Sequence, residues 1–194
     1  MPGLAGGTVT FVNIFPSPVI RGTRLDVREY GLGDAGLVRG VLASGGDPEA
    51  LPPGAPSDPA EVAGWLADGV HRPHREGTGV HLMMLDRAAT RIVGSISLFH
   101  TDWEVRSAEI GYGVRSDERG KGYASEALAA VARWALTVGG MQRAWLSANT
   151  DNLASCRVAE KAGFHREGIL RRAWLEDDGL LHDQAVFSLL DDEL

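Results

Sequence analysis

The stretch Val114-Arg115-Ser116-Asp117-Glu118-Arg119-Gly120-Lys121-Gly122-Tyr123-Ala124 decides the fold of this 194-residue chain. A β-rich run, Ala108 to Val114, ends where it begins. A helix of about Lys121 to Val138 follows, its stripe made by Ala124, Leu128, Val131, Ala135 and Val138 at three- and four-residue spacing. The first backbone N–H groups of a helix lack intrahelical partners and its dipole is positive at that end, so a strand, a glycine turn and a helix in succession make an anion site. Gly120 and Gly122 let a phosphate approach the main chain, and Arg119 and Lys121 add charge. The plain alternative is a tight turn with solvated basic side chains, because Arg-x-x-Gly-x-Ala is short enough to arise by chance.

Other phosphate motifs do not fit. There is no Gly-x-x-x-x-Gly-Lys-Ser/Thr, and Gly111 and Gly113 lie inside a strand without the rest of a dinucleotide fingerprint. Upstream, Val80 to Leu85 and Arg91 to Phe99 predict an antiparallel hairpin turning at 86–90. Further upstream, Arg24 to Arg28 predicts a strand and Asp34 to Ala43 a weak helix. Ser57-Asp58-Pro59 predicts a helix start running to about Val70, and 45–59, with five of the nine prolines, a long loop. Thr8 to Phe15 alternates like a strand. Downstream, Arg143 to Ala148 predicts a strand, Asn152 to Ala162 a helix with Gly163 as its left-handed cap, and Phe164 to Trp174 with Leu180 to Leu189 a closing hairpin. The fold class is therefore α/β, a mixed and mostly antiparallel sheet flanked by helices. Residues 1–20 are expected to be an N-terminal extension and 21–194 a single domain.

Composition bounds the function. With 44% hydrophobic and 23% charged residues, a chain of this size buries roughly 70% of its unfolded surface and needs no staple. One cysteine, Cys156, argues for a reducing, cytoplasmic setting and against a zinc site. The net charge of −7 argues against a generic nucleic-acid footprint, and no apolar run approaches the roughly 20 residues of a membrane span. No metal is expected: His71 and His74 are separated by Arg-Pro, which breaks a helix, and lack a third ligand. His100, His165 and His182 could line a cleft, but the sequence does not rank them.

Several segments in order resemble the GNAT N-acetyltransferase superfamily and, within it, the RimJ/RimL-like acyltransferases. They are Ala108-Glu109-Ile110-Gly111-Tyr112, Arg119 to Ala124, Asn152-Leu153-Ala154-Ser155, Glu160-Lys161-Ala162-Gly163-Phe164 and Arg166-Glu167-Gly168. Residues 21–100 match loosely and 1–18 lie outside the pattern. The resemblance implies that the strands ending near Val114 and Ala148 splay apart and that acetyl-CoA lies in the split. It places Val114 and Asn152 on the pantetheine arm and the main chain of Arg119 to Ala124 on the pyrophosphate; Arg115, Arg119, Gly120, Lys121, Gly122, Tyr123 and Ala124 are thus cofactor-site candidates. It also leaves room for a homodimer.

Acyl transfer needs a neutral amine, a stabilised carbonyl oxygen and a hydrogen-bond donor for the departing thiolate. The resemblance implies direct transfer in a ternary complex and an oxyanion donor near the end of the 108–114 strand. Many family members carry a tyrosine five positions before the Phe of the Gly-Phe pair; here it is Ala159. RimJ/RimL-like members resemble this chain in placing a serine three residues after the asparagine, which makes Ser155 the candidate donor. Glu109 is the candidate general base, with an outward-facing structural role as its alternative. Without an unmistakable base the chemistry leans toward α-amines, roughly a tenth neutral at pH 7, over lysine side chains at under about one in a thousand. The expected activity is acetyl transfer to a protein N-terminal or small-molecule amine; the alternatives are another acyl group such as succinyl, or a non-catalytic acyl-CoA-binding module. Trp65 and Trp174 are candidate pocket walls, whereas Trp134 and Cys156 read as packing.

Overall fold

Eight strands and five α-helices form among the described residues, 13–45, 50–176 and 179–194 of a computed structural model. The strands are β1 (Val19–Arg21), β2 (Leu25–Glu29), β3 (Val80–Asp86), β4 (Arg91–Asp102), β5 (Ser107–Val114), β6 (Arg143–Asn149), β7 (His165–Leu175) and β8 (Leu181–Leu190). The helices are α1 (Ala35–Ala43), α2 (Val62–Ala67), α3 (Arg72–Glu76), α4 (Tyr123–Thr137) and α5 (Leu153–Lys161). One sheet runs β1-β2-β3-β4-β5-β6-β8-β7, antiparallel except for the β5–β6 pair.

Period-two alternation sorts the β5 side chains onto two faces. Ala108, Ile110 and Val114 join the main core with Ala127, Leu128 and Val131 of α4 and Phe187 of β8. Glu109 points to the opposite face, where α1 and α2 bury Val38, Val41, Val62 and Leu66 against Met83 and Ile92. The β5–β6 ladder holds only Ser107↔Arg143, Ala108↔Ala144 and Glu109↔Trp145. Beyond that point β5 continues to Val114 beside β4, and β6 to Asn149 beside β8, so the two strands part. The inner backbone edges of both strands are left without each other as partners, which is the predicted splay.

Several expectations shift. Phe15 is buried and packs between Trp103 and Trp134 at ring separations of 4.8 and 5.7 Å, and Val19–Arg21 pairs with β2; the end of the segment read as an extension thus belongs to the sheet and core. Asn13 to Phe15 is not a strand, and Thr8 to Val12 lies outside the described residues. The helix expected from Ser57 begins only at Val62, because Asp58 caps a turn through the Ala60 N–H instead. Pro73 does not break a helix: it sits in the first turn of α3, where its missing N–H costs nothing. Trp65, a candidate pocket wall, is partly buried and its ring meets the buried Tyr30 edge-on at 5.3 Å.

The β6–β7 end of the sheet carries an acid-sensitive tie. Arg143 Nη1 and Nη2 donate to Glu167 at 2.6 and 2.7 Å and the Ser188 hydroxyl donates at 2.7 Å, which pulls the Glu167 carboxyl from 4.5 down to about 2. A lowered folded-state value means the tie is complete above pH 4.5 and is lost as pH falls toward about 2. With the carboxylate 43% exposed, screening limits its worth to about 1 kcal/mol. Glu167→Gln is expected to lower urea-unfolding stability by that amount at pH 7 and to make no difference near pH 2.

Candidate active site

β5 delivers the chain to the anion turn and α4 carries it away. A 3-10 turn at Ser116–Glu118 follows Val114, and Gly120 and Gly122 both adopt left-handed backbone, φ +76° and +84°. Gly122 is the N-cap of α4 and offers no capping side chain, so the helix N-terminus is open to a ligand. A cleft of about 660 Å³ lies there, between β5, the turn, α4 and α5. Val114, Arg119, Gly120, Gly122, Tyr123, Ala124, Asn152 and Ser155 all line it.

Two of the predicted basic side chains do not line it. Arg115 Nε donates to Asp117 at 3.0 Å, and Lys121 Nζ donates to the buried Glu118 at 2.9 Å, a carboxylate that also pairs with Arg91. Their charge shapes the turn. Arg119 Nε donates to the Val114 carbonyl at 3.2 Å, binding the turn to the end of β5.

The turn is further held by Arg24 and Asp86, which the sequence did not single out. Arg24, just before β2, donates to the Lys121 carbonyl at 2.8 Å, pairs with Glu126 at 2.9 Å and lies over the Tyr123 ring at 4.7 Å. The Tyr123 hydroxyl donates to Asp86 at 2.5 Å, and this bond is the main reason the Asp86 carboxyl titrates below its usual range. Both contacts span far-apart segments and leave no local pattern in sequence.

On the α5 side, Asn152 is the helix N-cap: its Oδ1 accepts the Ser155 N–H at 3.0 Å. That leaves its amide N–H₂ for a ligand and fixes Ser155 in the first turn. Tyr112, from β5, reaches across the cleft so that its hydroxyl lies 3.3 Å from Ser155 Oγ and 3.4 Å from the Ser155 carbonyl. Burial pushes the Tyr112 phenol upward, which keeps it a donor at neutral pH. Ala159, where the resemblance led to a missing tyrosine, is fully buried in the core.

Glu109 occupies the last paired rung before the strands part. Its side chain is 12% exposed; Oε1 accepts from Ser147 Oγ at 3.3 Å and Oε2 lies 2.8 Å from His100 Nδ1. Its carboxylate therefore stands at the apex of the split, on the face opposite Tyr112. Among the described residues no group of three or more His, Cys, Asp or Glu is placed to hold a metal ion, and no helix is long and apolar enough to cross a membrane.

Residues 24–165 match the Acetyltransferase (GNAT) domain family, close to three quarters of the chain. The chain belongs to the GNAT acetyltransferase family. This GNAT domain is 30% identical over 117 residues to the uncharacterized N-acetyltransferase YoaA of Bacillus subtilis, a match covering 60% of the chain and 66% of YoaA, just under two thirds. Mycobacterium smegmatis RimJ in complex with CoA-disulfide superposes with a TM-score of 0.73 at 26% identity, covering 92% of this chain and 90% of RimJ. The ribosomal-protein-S5-alanine acetyltransferase of Vibrio fischeri has a TM-score of 0.74 at 19% identity, covering 90% of this chain and 97% of that one, and shares the fold. The likeness to RimJ supports the RimJ/RimL-like branch for this GNAT domain.

Proposed function

We propose that the protein transfers an acetyl group from acetyl-CoA to a primary amine by direct attack in a ternary complex. The observation that carries this reading is the parting of β5 and β6 beyond Glu109 and Trp145, with the open α4 N-terminus at one end of the split. A pantetheine arm fits there as a substitute strand, its amides pairing with the exposed edge of β5 near Val114. The pyrophosphate lies on the main chain from Arg119 to Ala124, where backbone N–H groups and dipole supply the attraction. The Asn152 amide faces the pantetheine.

The two faces of the sheet then divide the work. Ser155, polarised by the Tyr112 hydroxyl, donates to the thiolate as the C–S bond breaks. Glu109, on the other face, receives the proton of an amine that enters from that side. A base so placed takes up the proton during transfer, so lysine-type and polyamine nitrogens join α-amines as candidate acceptors, the α-amines keeping the larger neutral fraction at pH 7. The matching succinyl reading differs only in the acyl group.

Acetyl-CoA offered with an alanine-initiated peptide, a lysine-containing peptide blocked at its N-terminus and spermidine is expected to release free thiol with at least one acceptor, and acyl transfer should match the thiol released. Tight acetyl-CoA binding with no acceptor-dependent thiol across a broad amine panel would instead support a non-catalytic binding module. Ser155→Ala is expected to lower kcat roughly tenfold to a hundredfold, the worth of one hydrogen bond to a charged group, with the KM for acetyl-CoA unchanged. Wild-type kcat would remove Ser155 from the chemistry.

A further inference from the structure

Glu109 is nearly enclosed, yet acylation of an amine that arrives as an ammonium must discharge a proton to water. At neutral pH an alkyl amine is overwhelmingly protonated. Its conversion to an amide, with CoA leaving as the thiol, gives up two N–H protons: one ends on the CoA sulfur and one must leave the site. A carboxylate that is 12% exposed and accepts from Ser147 is poorly placed to exchange that proton with solvent by itself.

His100 supplies the route. Its Nδ1 lies 2.8 Å from Glu109 Oε2 while its side chain is 74% exposed, so one ring touches the enclosed carboxylate and bulk water together. The backbone reaches this position through an irregularity: the β4–β5 register breaks between Phe99 and Asp102, and His100 adopts left-handed backbone, φ +47°. In regular β4, alternation would turn residue 100 to the face opposite Phe99 and its rung partner Glu109. His100 is one of four described non-glycine residues with left-handed backbone, a conformation that histidine adopts more readily than most residues, and here it brings the ring onto Glu109. The Phe99 ring meets the imidazole edge-on, with ring centroids 5.1 Å apart.

We infer that His100 is the proton outlet of the acceptor site, a positioning and relay residue that acts through Glu109. This rests on the reading of Glu109 as the base. With the ring in its Nε2–H tautomer, the ammonium gives one proton to Glu109 Oε2, which passes it to His100 Nδ1; the ring then loses its Nε2 proton to water, the carboxylate is restored, and rotation of the exposed ring with proton exchange to water returns the Nε2–H tautomer for the next turnover. The amine lone pair forms the C–N bond, the C–S electron pair leaves with sulfur, and the second N–H proton ends on the thiol. No further reactant is consumed.

The test compares His100→Ala, His100→Asn and Glu109→Gln with acetyl-CoA and the acceptor that wild type acylates fastest. His100→Ala is expected to lose at least about tenfold in kcat with the KM for acetyl-CoA unchanged, and added imidazole to restore much of the loss. Asparagine tolerates left-handed backbone and keeps an N–H near the Nδ1 position but cannot relay a proton. His100→Asn is therefore expected to remain as slow as His100→Ala. Wild-type kcat in His100→Ala, or full recovery in His100→Asn without imidazole, would overturn the relay; the latter would leave only an orienting hydrogen bond. Undiminished kcat in Glu109→Gln would instead strike at the base itself, so the two failures separate.

Discussion

Gly122→Asp is expected to weaken acetyl-CoA binding at least about a hundredfold, roughly 2.7 kcal/mol. Two effects add. The residue has φ +84°, a conformation that costs an L side chain roughly 1–2 kcal/mol and is relieved only by moving the turn. A Cβ there also comes within 3.5 Å of Arg24 Nη2, so a carboxylate would neutralise positive charge beside the main chain that is to hold the pyrophosphate, and would repel the ligand directly. Calorimetric titration reads the affinity, and unfolding of the unliganded variant checks that the fold survives. Gly122→Ala separates the causes: it keeps the backbone strain and omits the charge, so its affinity should lie between those of wild type and Gly122→Asp. Wild-type affinity in the aspartate variant would move the phosphate site away from this turn.

Glu109→Gln is expected to lower kcat by about a hundredfold or more, the range for a positioned general base, while the KM for acetyl-CoA holds. The amide keeps the shape and can still engage Ser147 and His100, so folding is spared. What disappears is the capacity to take a proton at the apex of the split. Because the ligand cleft opens on the α4 face and Glu109 points to the other, a loss in acetyl-CoA affinity equal to the loss in kcat would contradict this division of the sheet.

The parts of the site that follow one another in sequence were legible there. The strand, Gly-x-Gly turn and helix of 108–137 carry their own punctuation, and Asn152 with Ser155 falls on one helical turn; residues of both segments line one cleft. The pairings that give the residues their chemistry were not. Tyr112 and Ser155 are 43 residues apart and meet only across the split; Arg24 reaches Lys121 over 97 residues. His100 could not be ranked because its placement depends on the register break after Phe99, which leaves no compositional mark. Nor did the sequence show that Lys121 would turn toward Glu118, since the burial of that carboxylate is a tertiary fact.

The most direct measurement of the central claim is thermal unfolding with free CoA, acetyl-CoA and succinyl-CoA, each at about a hundredfold over its dissociation constant from titration. Binding at that excess adds about 2.7 kcal/mol, which for a chain of this size raises the midpoint by roughly 5 to 10 °C. The split and the open α4 N-terminus predict a rise of that size with acetyl-CoA, abolished by Gly122→Asp. No saturable binding and no rise with any of the three at millimolar concentration would mean that β5, β6 and the Arg119 to Ala124 turn do not hold CoA, and the proposed acyl transfer would fall with them.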